Sequence, residues 1–110
     1  MDPALRERVH DDLKGIVKGE LLFEEISRAL YSTDASPFEV EPLGVVVPRD
    51  EEDVQALVRY AGENQAALTA RGAGAGLAGE SLTAGLVVDF SRHFRSVLEE
   101  TADAVRVQPG

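Results

Sequence analysis

Residues 69–81 of this 110-residue chain read Thr-Ala-Arg-Gly-Ala-Gly-Ala-Gly-Leu-Ala-Gly-Glu-Ser, and four of the ten glycines fall within eight of these positions. Glycine permits positive φ angles and lets the backbone approach a ligand closely. A run of glycine and alanine also leaves successive N–H groups unshielded, and such groups can form an anion-binding nest. Short apolar segments, which we predict to be strands, stand on both sides. We call residues 71–81 the glycine loop and predict that it holds a phosphate-bearing ligand.

The composition excludes several classes of function. The net charge is −9 and the eleven Lys and Arg residues are scattered, whereas a nucleic-acid binder needs a basic patch. Without cysteine there is no disulfide, thiolate metal site or thiol nucleophile. No apolar run approaches the ~20 residues of a membrane span, and the acidic start has no signal-peptide core. We therefore expect a cytoplasmic protein without a membrane span.

The amino-terminal part of the chain shows a helical pattern. Over residues 3–18, apolar side chains recur at spacings of three and four, which predicts an amphipathic helix that Asp2 caps and Gly19 ends. Residues 20–31 predict a second, shorter helix, closed by a turn-rich stretch. We assign residues 1–41 to an amino-terminal helical segment.

A βαβ pattern follows that segment. The valine run at residues 43–47 predicts a buried strand, and Asp50 is placed to cap the next helix with Asp53 in the capping-box position. Residues 66–70 predict a second, parallel strand, and the glycine loop leaves its carboxyl end, where ligands of α/β sheets bind.

A third strand over residues 85–90 and an antiparallel hairpin of residues 96–99 and 104–107 complete the pattern. The fold class is therefore α/β (α+β), with the amino-terminal helices packed on a small sheet that contains the βαβ unit. Asp89, at the end of the third strand, has the position of a turn-capping residue. His10 and His93 stand on predicted surface elements without an accompanying acid and nucleophile, so we assign them no catalytic role.

Two general phosphate-binding motifs fit the loop poorly. A P-loop needs lysine and then Ser or Thr after its last glycine, but Glu80 follows Gly79 here. Residues 74–79 match the dinucleotide fingerprint G-x-G-x-x-G, yet that motif must open a helix, and too few residues precede the next strand. An NAD-binding Rossmann enzyme stays an alternative that a helix after Gly79 would favour. A non-catalytic interaction module that kept the fold without its cofactor is another.

The glycine loop resembles the pyrophosphate loop of the FAD-linked oxidases of the vanillyl-alcohol-oxidase type, which carry a PCMH-type FAD-binding domain. The closest likeness is to the glycolate oxidase and D-lactate dehydrogenase branch, including long forms fused to an iron–sulfur domain. The resemblance covers nearly the whole chain, through five segments in the family's order: residues 31–36, 42–54, 71–81, 85–92 and 105–110.

The resemblance implies that residues 42–110 are the first part of an FAD-binding domain, truncated at its carboxyl end. The full enzyme would oxidise a 2-hydroxy acid of the lactate or glycolate type, with two electrons passing to the flavin. Catalytic residues would lie downstream, so none is assigned in this chain, and the chain alone would be inactive. An iron–sulfur cluster could occupy a downstream domain, no metal ligand is assigned here, and the truncated fragment could form a homodimer.

The resemblance also implies which residues contact FAD. Ala75 stands where the family commonly has threonine, so a hydroxyl that would help to bind phosphate is lost. The loop has no histidine, so FAD would be bound non-covalently at this site. Arg71 would pair with a phosphate or would instead orient the loop. The cofactor-binding residues are then Arg71, Gly72, Ala73, Gly74, Ala75, Gly76, Gly79, Ser81, Pro109 and Gly110.

Overall fold

The computed structural model describes residues 2–110, which contain three helices and six strands. The helices are α1 (Pro3–Lys14), α2 (Glu25–Leu30) and α3 (Glu51–Asn64). The strands are β1 (Glu20–Leu22), β2 (Gly44–Val47), β3 (Leu68–Arg71), β4 (Leu86–Asp89), β5 (Val97–Glu100) and β6 (Val105–Val107).

One four-stranded sheet, with strand order β1-β2-β4-β3, forms the centre of the molecule. Strands β2, β4 and β3 run parallel, and β1 pairs antiparallel with β2 at the edge. The predicted α/β fold and the parallel βαβ unit β2-α3-β3 are confirmed. Strand β4 lies between the two strands of that unit, so β3 becomes the edge strand from which the glycine loop leaves.

The two faces of the sheet are covered by different parts of the chain. One face packs against α1 and α3, and its core includes Val46, Leu86, Val88, Leu13 and Leu57. The opposite face carries Val45, Val47 and Val87, against which Leu22 and Tyr31 pack. Successive strand side chains alternate between faces, so β2 and β4 read as continuous apolar runs because both of their faces are buried.

The prediction of one helix over residues 20–31 is wrong. Residues Glu20–Leu22 form strand β1, and only Glu25–Leu30 are helical. The physical reason is edge pairing: Glu20 and Leu22 pair with Val47 and Val45, and this ladder with β2 satisfies backbone groups that a short helix would leave unpaired. Pairing with a distant strand overrides the local helical pattern.

Helix α1 is shorter than predicted, since it ends at Lys14 with Gly15 at its cap instead of running to residue 18. The chain beyond it is held by Asp53, whose side chain is buried. Its carboxylate accepts hydrogen bonds from the backbone N–H groups of Lys18 at 2.9 Å, Gly19 at 2.9 Å and Arg49 at 2.8 Å. Asp53 thereby joins the entry to β1 with the entry to α3.

Asp50 caps α3 as predicted, because its side chain accepts a hydrogen bond from the Asp53 N–H at 3.1 Å. The reciprocal half of the predicted capping box is absent among the described residues. The Asp53 carboxylate instead receives the three N–H groups outside the helix, so its burial serves a long-range connection.

The predicted hairpin is confirmed as β5–β6, which pair antiparallel and form a separate two-stranded sheet. All of its residues are exposed. Within residues 2–110, no helix has the length and apolar character needed to cross a membrane.

Candidate functional site

The glycine loop leaves the carboxyl end of β3 and returns to β4, at the edge of the sheet where α/β proteins bind ligands. Arg71, its first residue, is also the last residue of β3. Residues 72–85 contain turns and bends but no helix. The helix that a Rossmann dinucleotide site requires after Gly79 is therefore missing from this described segment.

The middle of the loop presents free backbone donors. Within the described chain, the N–H groups of residues 73–77 form no hydrogen bond. Gly74 and Gly79 have φ angles of 71° and 77°, which a side chain would strain. Unpaired backbone N–H groups beside glycines with positive φ are donors of the kind that bind a phosphate.

Strand register brings Arg71 to the face of the sheet that carries Tyr31. Arg71 pairs with Asp89 across β3 and β4, and strand alternation places both side chains on the side of Val87. The guanidinium carbon of Arg71 lies 5.2 Å from the centre of the Tyr31 ring. A Cβ added to Gly74 would lie 2.5 Å from Nη2 of Arg71, so the guanidinium packs directly against the loop.

Nη1 of Arg71 is buried and, among the described residues, has no hydrogen-bond acceptor. A buried cationic donor without an acceptor is costly, and native structures satisfy such groups with protein, water or ligand. The neighbouring carboxylate of Asp89 already accepts hydrogen bonds from the Tyr31 hydroxyl at 2.5 Å and from the N–H and hydroxyl of Ser91. Arg71 therefore keeps its charge available for an external anion.

Asp89 has the turn-capping role predicted for it, because Oδ1 accepts the Ser91 N–H at 2.8 Å in an Asx turn. Its second oxygen holds Tyr31. Burial, and then the hydrogen bond to Asp89 and its negative charge, raise the pKa of Tyr31 to about 12, against the opposing charges of Arg92 and Arg71. Tyr31 thus stays a neutral hydroxyl donor at physiological pH.

The end of the loop is tied to the chain before β2. The Ser81 hydroxyl donates to Oδ2 of Asp34 at 2.9 Å, and the Ala35 N–H donates to the Gly74 carbonyl at 3.0 Å. The hydrogen bond from the Ser36 side chain is the largest cause that lowers the pKa of Asp34. The Ser36 N–H, Ser81 and the charge of Arg71 lower it further, against partial desolvation.

The contacts of Tyr31 and Asp34 with the loop were not predicted from the sequence. The segment of residues 31–36 had been recognised only as a family likeness. Tyr31 and Asp34 lie far in the sequence from their loop partners Arg71 and Ser81, so local patterns could not pair them.

A carboxylate of the loop itself lies against the free donors. Glu80 accepts a hydrogen bond from the Ala78 N–H at 3.2 Å, and a Cβ added to Gly76 would overlap the Glu80 carboxylate. The Glu80 side chain is exposed to solvent. It places a negative charge next to the groups that would receive a phosphate.

Pro109 and Gly110 reach the same edge of the sheet by way of Phe90. The Gly110 N–H donates to the Phe94 carbonyl at 2.7 Å, and a Cβ at Gly110 would overlap the carbonyl oxygens of Phe90 and Phe94. The Phe90 N–H in turn donates to the Arg71 carbonyl at 2.9 Å. Pro109 lines a groove of about 420 Å³ beside Phe90 and Phe94.

Neither His10 nor His93 takes part in the loop contacts described above. The ring of His10 stacks on Phe23 with the ring centres 4.8 Å apart. In the part of the chain that the structure describes, no three His, Cys, Asp or Glu side chains are grouped as metal ligands.

A family model described as an FAD binding domain matches residues 42–110. The chain belongs to this family. The predicted membership of the FAD-linked oxidases is confirmed, and FAD is the cofactor that the FAD-binding domain indicates.

Curated relatives of this FAD-binding domain carry one name, D-2-hydroxyglutarate dehydrogenase. The Pseudomonas putida protein is 39% identical over 98 residues, which is 84% of this chain and 10% of the relative. The Pantoea ananatis protein is 37% identical over 117 residues, covering 98% of this chain and 11% of the relative. The Escherichia coli protein is 34% identical over 97 residues. The chain spans about a tenth of the length of the curated relatives it matches.

The loop of this FAD-binding domain carries unpaired donors of two kinds. The buried Nη1 of Arg71 lacks an acceptor, and residues 73–77 offer a run of free N–H groups. Ala75, where a threonine was expected, is exposed and adds no side-chain donor. Backbone and guanidinium donors together supply the chemistry that an anionic diphosphate needs.

Proposed function

We propose that this chain is the amino-terminal part of an FAD-dependent oxidoreductase that oxidises a 2-hydroxy acid, and that its glycine loop holds the FAD pyrophosphate. The observation that carries the proposal is the buried, acceptor-free Nη1 of Arg71 beside the free N–H groups of residues 73–77. When bound, FAD would supply the two-electron acceptor for the oxidation of the hydroxy acid.

The proposed site residues fall into three groups. Arg71 and the backbone of residues 72–76 would bind the phosphates, with Gly79 shaping the turn. Ser81 would act through Asp34, to which its hydroxyl donates. Pro109 and Gly110 would stand near the flavin, since they border Phe90 at the same sheet edge as Arg71.

We propose D-2-hydroxyglutarate as the first substrate to test, because the matched relatives carry its name. Lactate and glycolate, implied by the original family likeness, are the comparison substrates. No residue of this chain is assigned to catalysis, so substrate choice would be made by downstream parts of the protein.

The test is purification of the full-length protein that contains this chain, followed by anaerobic addition of each hydroxy acid. We expect the purified protein to show visible flavin absorbance. Trichloroacetic acid should release the flavin from the protein, because the cofactor would be bound non-covalently. One of the three hydroxy acids should bleach the flavin absorbance of the native protein. If only D-lactate or only glycolate bleaches the flavin, that acid and not D-2-hydroxyglutarate is the substrate. A flavin-free protein that takes up no added FAD would favour the non-catalytic interaction module.

Several further assignments stay proposals of the same kind. We propose a division between residues 1–41 and 42–110, a cytoplasmic location, and an iron–sulfur cluster in a downstream domain of the full protein. A homodimer of the isolated fragment is supported by the exposed apolar side chains of its hairpin, Val97, Leu98, Val105 and Val107.

A further inference from the structure

The segment of residues 31–38, which precedes β2, packs against the glycine loop, and we call it the backing segment. We propose that it is a positioning element of the cofactor site, in which Tyr31 and Asp34 fix the loop and thereby set its affinity for FAD. This inference rests on the proposed function. It assigns a role to residues that lie outside the region matched by the family model, residues 42–110.

The backing segment touches the loop at its beginning and in its middle. At the beginning, the Tyr31 ring supports the guanidinium of Arg71 at 5.2 Å. In the middle, the Ala35 N–H donates to the Gly74 carbonyl at 3.0 Å. These contacts hold the residue with the free guanidinium nitrogen and the first turning point of the loop.

Two further contacts hold the far end. A Cβ at Gly79 would lie 3.0 Å from the Phe38 ring, so this second turning point is packed against the backing segment. The Ser81 hydroxyl donates to Asp34 at 2.9 Å. Ser81 is buried whereas Asp34 is half-buried, so this hydrogen bond is partly shielded from water. One short stretch of chain thus contacts the loop at its beginning, at both glycines with positive φ and at its end.

The backing segment has hydrogen bonds of its own. The Val40 N–H donates to the Ser32 carbonyl at 2.9 Å, and Thr33 and Glu39 form an antiparallel bridge. Asp34 accepts the Ser36 N–H at 2.8 Å, while the Tyr31 hydroxyl is fixed on Asp89. A support with its own hydrogen bonds can impose one conformation on a flexible neighbour.

The loop needs such a support because of its composition. A stretch with glycine at residues 72, 74, 76 and 79 loses more backbone entropy on ordering than a stretch of the same length without glycine. If that entropy were lost only when FAD binds, it would subtract from the affinity. Contacts with residues 31–38 order the loop beforehand and leave its N–H groups aimed at the ligand.

Tyr31 contacts Arg71 through its ring and forms no ion pair with it. An aromatic face attracts a guanidinium but supplies no hydrogen-bond acceptor in the plane of its N–H groups. A carboxylate at the same place would form an ion pair with Arg71 and compete with phosphate. The tyrosine ring therefore positions Arg71 and leaves Nη1 free, as observed.

The test compares variants of the full-length protein by FAD affinity, by visible circular dichroism of bound flavin, and by thermal midpoint without FAD. Tyr31→Leu removes the ring, and Asp34→Ala removes the acceptor of Ser81. We expect each to weaken FAD binding about tenfold or more, the size of a lost charge-linked contact. Tyr31→Phe keeps the ring and is expected to retain affinity within about threefold and to restore the dichroism spectrum.

Tyr60→Phe is the matched control, because Tyr60 donates to Asp12 at 2.7 Å on the other face of the sheet, as Tyr31 does to Asp89. It is expected to lower the thermal midpoint without changing FAD affinity. Ser81→Ala is a milder variant should Asp34→Ala fail to fold, and it is expected to weaken FAD binding several-fold.

Separate outcomes overturn the two proposals. If the unaltered protein binds FAD and Arg71→Ala weakens it, but Tyr31→Leu and Ser81→Ala bind FAD normally, only the positioning role is wrong. The positioning role is also wrong if Tyr31→Phe loses as much affinity as Tyr31→Leu, or if Tyr60→Phe loses affinity equally. If the unaltered protein binds no FAD, both proposals are wrong.

Discussion

The guanidinium of Arg71 lies over the ring of Tyr31, with 5.2 Å between the guanidinium carbon and the ring centre. Arg71 ends strand β3, whereas Tyr31 follows helix α2 directly, so the contact joins the loop to a part of the chain outside the matched domain. Asp89, which pairs with Arg71 in the sheet, is already hydrogen-bonded to Tyr31 and Ser91. The positive charge of Arg71 is thereby held against the glycine loop, and its buried Nη1 has no acceptor among the described residues.

Replacing Gly74 is expected to damage the loop, whereas replacing Gly72 is not. Gly74 has a φ of 71°, and a Cβ there would press against Arg71, while a Cβ at Gly72 would meet nothing within 4 Å. We expect Gly74→Ala to cost about 1–2 kcal/mol of unfolding free energy and to weaken FAD binding. Urea unfolding and FAD titration of the full-length variants check this. An equal loss of unfolding free energy in Gly72→Ala and Gly74→Ala would contradict the described loop conformation.

Asp53→Ala is expected to lower the free energy of unfolding by roughly 2–4 kcal/mol, because it strands buried N–H groups. The lost acceptor serves Lys18, Gly19 and Arg49. Glu52, the preceding acid, is exposed and forms a surface ion pair with the Lys18 ammonium, so Glu52→Ala should change stability little. Urea unfolding of both variants measures the difference. If Asp53→Ala were no more destabilising than Glu52→Ala, the three-donor connection would be wrong.

Both tyrosines of the chain are expected to ionise well above their ordinary pKa of 10. Burial, hydrogen bonding to an aspartate and that aspartate's charge raise the pKa of Tyr31 and of Tyr60 to about 12. The raised pKa means that the neutral form stabilises the fold. This stability is complete below about pH 10, the unfolded value, and is lost as pH rises towards about 12.

Ultraviolet titration of the 110-residue chain can follow this ionisation, because the chain has two tyrosines and no tryptophan. We expect tyrosinate absorbance to rise together with alkaline unfolding. Tyr31→Phe and Tyr60→Phe should each remove one late-ionising group. Ionisation of either tyrosine near pH 10 in a folded chain would show that its hydrogen bond to aspartate is absent.

Glu80→Gln is expected to tighten FAD binding. The Glu80 carboxylate lies against Gly76 and accepts the Ala78 N–H, so its charge would repel a phosphate bound at the loop. Glutamine keeps an oxygen acceptor but removes the charge, which at an exposed position is worth a few-fold in affinity, roughly 1 kcal/mol. Glu63→Gln on the exposed surface of α3 is the control for net charge. A weaker FAD complex in Glu80→Gln would show that the carboxylate supports the loop instead of competing with its ligand.

Much of the fold could be predicted from the sequence because its signals are local. A pattern of only a few residues predicts each of these features: the valine runs of β2 and β4, the Asp50 cap and the glycine loop. Strand β1 could not be predicted in this way, since residues Glu20–Leu22 are a strand only because β2 is beside them. The same holds for Asp53, whose local position suggested a capping box but whose partners lie around α1 and β1.

The candidate site likewise contains residues that local sequence patterns indicate and residues that only tertiary structure brings to it. The loop glycines and Arg71 could be named from their spacing and from the family likeness. Tyr31 and Asp34 could not be assigned to the site, because their contacts depend on strand alternation and on the path of residues 31–38 across the sheet. Contacts of this kind are set by tertiary structure, which a single sequence does not display.

The most direct test of the central claim is an FAD titration of the full-length apoprotein, with Arg71→Ala beside Arg59→Ala. Both variants remove one positive charge, but Arg59 is exposed on α3, away from the loop. We predict that Arg71→Ala weakens FAD binding roughly tenfold to a hundredfold, as expected for a lost charge-assisted hydrogen bond, and that Arg59→Ala leaves it unchanged. Equal FAD affinity of Arg71→Ala and the unaltered protein would contradict the assignment of this loop to the pyrophosphate.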